Sequence, residues 1–371
     1  MAYPVLLALG ALDAAGYSLI APVVPALAAA TGAGPGVMGA LVATFALGMA
    51  AGFWLGGEGV VRSHASFVLG ASLLLLAAGS LGFVLGDGRL SVYFGSRLLM
   101  GIGSGGLWMG ITFATLERFR GREYPRLTGV LAAYSVGGIA GAGLGAVGGI
   151  RGPFLLYLAL VLLAGAAVRL LGPPPERAGF RSDREALRAP AFLLSGAGIL
   201  LVALALGTIE GPLPLHFSTL LSQREISALY VGIAVLVGTS AALAGRLPTR
   251  PALAAAVVLI PAGLGLAGLG DSVAAWLAGG VVAGLGFGLG EAGSLGILLE
   301  TVGTERIVLA MVVWSQLWAV GYLAGPAAGG GVAEWLGFGA IGLVPLAASA
   351  LVAAAFGAQG RRRTTAARIV R

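Results

Sequence analysis

The sequence predicts an all-α membrane protein, with twelve transmembrane helices in two pseudo-symmetric bundles of six. Composition, the number of long apolar runs and an internal repeat carry that expectation. Of the 371 residues, 58% are hydrophobic and only 10% are charged. Mean hydropathy is +0.97. A soluble domain is about 25% charged, so most of this chain is built to meet lipid.

A helix that crosses a bilayer needs about 20 mostly apolar residues. Such runs fall at 3–29, 36–56, 66–86, 91–114, 127–149 and 153–171, numbered here as spans 1 to 6. Spans 7 to 12 follow at 190–219, 226–245, 251–269, 273–299, 307–332 and 338–357. Span 1 is not a cleaved signal peptide, because it lacks a basic leading region and Asp13 interrupts its apolar core. Between spans 6 and 7 lies GPPPERAGFRSDREALRAP, whose prolines and charges make a linker. The expected divisions are a first bundle at 1–171, a cytoplasmic linker at 172–189, a second bundle at 190–357 and a basic tail at 358–371.

Orientation follows from the arginines, since cytoplasmic loops collect positive charge. All 22 basic residues are Arg. With the N-terminus in the cytoplasm, 18 of them fall in cytoplasmic loops and the tail. Arg89, Arg151 and Arg224 face outward, and Arg97 lies within span 4. Both termini are therefore expected inside, in a multi-pass protein of the cell inner (plasma) membrane. The net charge of +7 forms no basic domain, so nucleic acid is not an expected partner.

The two halves repeat. LLMGIGSGGLWMG (98–110) aligns with VVAGLGFGLGEAG (281–293) at an offset of 183. GGIAGAGLGAVGG (137–149) aligns with GYLAGPAAGGG (321–331) at an offset of 184. A parallel repeat of six helices places a binding site near mid-membrane between the halves. The glycine strings on spans 4, 5 and 11 allow close helix approach. They follow no strand, so they make no dinucleotide loop.

Asp13, Arg97, Glu210 and Glu291 are the charges well inside the spans, on spans 1, 4, 7 and 10. An intramembrane charge costs at least about 2.5–3.5 kcal/mol and usually marks function. For any single one, a structural ion pair or a water-filled cleft is the plainer explanation. Asp13 can shed its charge by taking a proton, or share it with Arg97 or a cationic substrate. Arg97 and Trp108 are 11 residues apart and share one face of span 4, and the repeat sets Glu291 opposite Trp108. Tyr17 lies one turn beyond Asp13. Trp314, Trp318 and Tyr322 form an aromatic stripe on span 11, either packing or a wall of π faces for a cation. Cys is absent, and His64 and His216 are far apart, so neither a metal site nor a cofactor is expected. No nucleotide-binding motif or catalytic cluster appears either, so the chain reads as no enzyme.

At these residues the chain resembles the major facilitator superfamily, in its drug:proton antiporter branch. SRLLMGIGSGG (96–106) is similar to the branch's span-4 motif, and GYLAGPAAGG (321–330) to its GxxxGPxxGG pattern, here on span 11. LDAAGYSLIAPVVPAL (12–27) and TIEGPLPLHF (208–217) resemble spans 1 and 7 of the vesicular amine transporters. The resemblance implies Asp13 and Glu210 as cation- or proton-binding acids and Arg97 as a proton-coupling residue; Glu291, two residues before the family's span-10 position, joins the coupling set as an acid inside its span. The substrate site expected from charge and helix faces is Asp13, Tyr17, Trp108, Glu210, Glu291, Trp314, Trp318 and Tyr322. The family's span-11 acid would fall at Ser315. Glu58 and Arg62 keep the acid-to-Arg spacing of the gating motif between spans 2 and 3, as a latch on the cytoplasmic side. The implied activity is a monomeric proton-coupled antiporter, moving organic cations, lipophilic amines or drugs by alternating access. A facilitator or symporter for a neutral solute is the alternative, and a non-transporting receptor on the same fold is a third.

Overall fold

The computed structural model describes residues 2–62, 64–119, 122–172, 186–302 and 307–369. No strand occurs among them. Eleven helical stretches are long and apolar enough to cross a membrane. The helix Ile307–Leu336, uncharged in sequence as far as Ala333, supplies span 11. Several helices outrun their apolar windows, as in Pro35–Arg62, Leu90–Arg118 and Val273–Val302. Backbone hydrogen bonding continues into the interface, where polar ends meet water. Most of the linker, 173–185, lies outside the described residues. The tail expected at 358–371 is not separate from span 12, whose helix runs Leu343–Ile369.

Spans 1 and 7 are broken. Span 1 consists of Ala2–Ser18 and Ile20–Thr31, and span 7 of Pro190–Glu210 and Leu213–Phe217. Proline lacks the amide hydrogen and crowds the carbonyl four residues back. Pro22 removes the bond to Ser18, and Pro212 and Pro214 do the same after Glu210. The acids Asp13 and Glu210 thus sit on the first segment of each broken helix.

The halves pack alike. In the first, span 1 packs on span 5, spans 2 and 3 on span 4, and span 3 on span 6. In the second, span 7 packs on span 11, spans 8 and 9 on span 10, and span 9 on span 12. Each pairing maps onto its counterpart by adding six. The halves meet where span 2 packs on span 11 and span 5 on span 8. Glycine permits the closest of these approaches: a Cβ on Gly101 would overlap the Phe45 carbonyl, and one on Gly325 the Leu204 carbonyl.

At the end holding the turns after spans 1, 5, 7 and 11, the halves are tied by hydrogen bonds. The Gly36 amide donates to Glu334 Oε2 at 3.0 Å. Gln223 Nε2 donates to the Gly145 and Gly149 carbonyls, each at 3.1 Å, and the Gly149 amide donates to Gln223 Oε1 at 2.9 Å.

Candidate functional site

Between the halves lies a cavity of ≈ 1200 Å³ free of protein atoms, part of it open to the surroundings. Spans 1, 2, 4 and 5 line it from one half, and spans 7, 8, 10 and 11 from the other. Asp13, Tyr17, Trp108, Glu210, Glu291, Trp314 and Trp318 all face it. Seven residues, from spans 1 and 4 of one half and spans 7, 10 and 11 of the other, therefore converge on one space.

The three acids are held differently. Asp13 is 2% exposed, and the Tyr134 hydroxyl donates to its Oδ2. Ser104 stands beside the same carboxyl. Glu210 is 3% exposed, and the Tyr322 hydroxyl donates to its Oε2. Each half thus sets an acid on its first span against a tyrosine from its fifth. Glu291 is only partly buried, and among the described residues it makes no hydrogen bond or ion pair. Tyr17 lies within electrostatic range of all three carboxyls.

Aromatic rings form the rest of the wall. Tyr17 meets Trp318 edge-on with centroids 6.2 Å apart, and Trp318 stacks on Tyr322 at 4.9 Å. Trp314 Nε1 donates to Ser294 Oγ at 3.0 Å. Trp108 Nε1 donates across the halves to Ser315 Oγ at 3.2 Å, and its ring meets Tyr134 edge-on at 5.2 Å. Ser315, where the resemblance would place an acid, is therefore a hydrogen-bond acceptor joining the two halves.

Two expectations are corrected. Arg97 does not line the cavity, although it shares a helix face with Trp108. Eleven residues are about 16 Å along a helix, which places Arg97 at another depth. There it is fully buried, with its guanidinium 4.2 Å from the Phe45 ring centroid. It forms no ion pair with Asp13, and the Tyr322 hydroxyl stands beside its guanidinium. Glu210, Tyr322 and Tyr157 lie within its electrostatic range. Tyr322 does not line the cavity either; it is fully buried and serves Glu210. Glu58 lies exposed on span 2, while the Arg62 side chain falls outside the described residues.

The sequence reading missed Tyr134, Ser104 and Ser315 as parts of this wall. The repeat held a signal for the first: an offset of 184 carries Tyr134 onto Trp318.

Two six-helix halves that pack alike around one cavity are the architecture of a membrane transporter and not of an enzyme. The profile of the Major Facilitator Superfamily matches residues 6–247, and the chain belongs to that family. No curated protein matches it in sequence. Among solved structures, a D-xylose-proton symporter is 15% identical with a TM-score of 0.73, covering 94% of this chain and 96% of its own. A bacterial homolog of the human lysosomal transporter Spinster, inward-facing and unoccupied, is 13% identical with a TM-score of 0.72, covering 95% and 94%. The human organic anion transporter MFSD10 is 17% identical with a TM-score of 0.70, covering 96% and 98%. At such identities the likeness concerns the fold alone.

Proposed function

We propose that this transporter is a proton-coupled antiporter that exports organic cations, lipophilic amines or drugs. One observation carries the reading: among the described residues the cavity is lined by three carboxyl groups and many aromatic rings, and by no basic side chain. A carboxylate out of water needs a proton or a cation as its partner. Arg97 stands off the wall and forms no ion pair with Asp13 or Glu210 among the described residues, although Glu210 lies within its electrostatic range. Asp13 and Glu210, one from each half, form the coupling pair. Proton entry neutralises the pair and releases the cation, and loss of the protons restores the negative cavity. Each unit charge moved across 100 mV is worth about 2.3 kcal/mol, so exchanging more than one proton per monovalent cation makes transport electrogenic. Glu58 and Arg62 act as the cytoplasmic latch, in a chain with both termini in the cytoplasm.

Proteoliposomes loaded with a pH-sensitive dye test this reading against amines, drugs and sugars. A pH change coupled only to cations is the expected result. Counterflow of a sugar with no response to cations would replace the reading with a neutral-solute carrier.

A further inference from the structure

We infer that Glu291 is the residue that seats the positive group of the substrate, leaving the two tyrosine-bound acids to protons. The inference rests on the cation-exporting reading above and divides its site into two kinds of position. Asp13 and Glu210 are almost wholly buried, and each already accepts a phenolic O–H. Glu291 faces the same space, is more exposed, and has no partner among the described residues. A cation entering from water loses its hydration and regains most at a carboxylate whose oxygens are unoccupied. Glu291 is the one acid of the three that meets this condition on both oxygens.

Its surroundings suit a cation. Ser294 follows three residues later on the same helix face. Its hydroxyl holds the Trp314 indole at 3.0 Å, which fixes an aromatic ring one turn from the carboxylate. An anionic oxygen beside an indole attracts a cation by charge and by the ring quadrupole together. Neither group demands an N–H from the ligand. The seat therefore takes a quaternary ammonium or phosphonium ion as readily as a protonated amine, and discriminates against neutral analogues of the same shape.

The division also supplies coupling. Tyr17 is within electrostatic range of Asp13, Glu210 and Glu291 together. A cation at Glu291 and protons on the other acids therefore repel one another through a short, poorly screened path, and arrival of one favours departure of the other.

The test is equilibrium binding of tetraphenylphosphonium to the purified full-length protein in detergent at fixed pH. The parent should bind. Glu291→Gln should lose about tenfold or more in affinity, at least about threefold more than Asp13→Asn or Glu210→Gln loses at the same pH. The Glu291→Gln protein should melt no earlier than the parent, because removing an unpartnered carboxylate relieves desolvation. If that variant does melt early, Glu291→Asp carries the test: moving the carboxylate back by one methylene should weaken binding measurably, and unchanged affinity would overturn the assignment. Undiminished binding by Glu291→Gln, with loss in Asp13→Asn or Glu210→Gln, would place the seat elsewhere and leave cation export standing. A parent that binds no phosphonium would bring down the cation reading and this inference together.

Discussion

Asp13 bonds to Tyr134 rather than to Arg97, and this decides how its neutralisation should behave. Had the two formed an ion pair, Asp13→Asn would strand a buried guanidinium at about 3–5 kcal/mol. An asparagine oxygen can still accept the tyrosine hydroxyl, so Asp13→Asn should melt near the parent and yet lose proton-driven uphill transport. Thermal melting and flux measured on one preparation check both halves of that outcome. Tyr134→Phe takes the donor from a buried carboxyl oxygen and should cost about 1–3 kcal/mol, read as a lowered melting temperature that Asp13→Asn does not share. Most of the cavity acids and rings could be read from the sequence, because charge and aromatic spacing inside apolar runs stand out. Arg97 and Tyr322 were misplaced, since a helical wheel reports the face of a residue and not its depth or what covers it. Tyr134 stayed hidden because an isolated tyrosine in a span carries no signal until the repeat is laid over it.

Helices show the same limit of one-dimensional reading. Apolar length found the spans, but the breaks after Ser18 and Glu210 depend on where proline removes a backbone donor, and helix ends depend on the interface rather than on hydropathy. The glycine strings were readable as sites of close approach, and Gly325 against the Leu204 carbonyl is one of them. Gly325→Leu should force spans 7 and 11 apart, with a loss of about 1–3 kcal/mol or more seen in melting. No motif announced Gln223, whose three hydrogen bonds close spans 5 and 8 at one end. Gln223→Ala should shift the protein toward the state open at that end, leaving affinity within each state nearly unchanged. Cysteine accessibility at cavity positions, in this Cys-free chain, reads the shift directly; unaltered accessibility would deny Gln223 a gating part.

For the molecule as a whole, the six-plus-six repeat was readable from two glycine-rich alignments, and the packing of equivalent helices follows it. Orientation rests on arginine placement, and cysteines at Asp183 and Ser222 should label from opposite sides of the membrane. Reaction of the Asp183 position with an impermeant reagent outside intact cells would reverse the topology. The central claim is that one cavity exchanges cations for protons. It is tested most directly by proteoliposomes holding the parent, Asp13→Asn or Glu210→Gln protein, given a permanently charged cation and an acid-inside pH gradient with no membrane potential. The account predicts that the parent accumulates the cation against its concentration gradient, that an ionophore collapsing the pH gradient abolishes accumulation, and that neither variant accumulates it. Equal uptake with and without the pH gradient, or concentrative uptake by both variants, would contradict it.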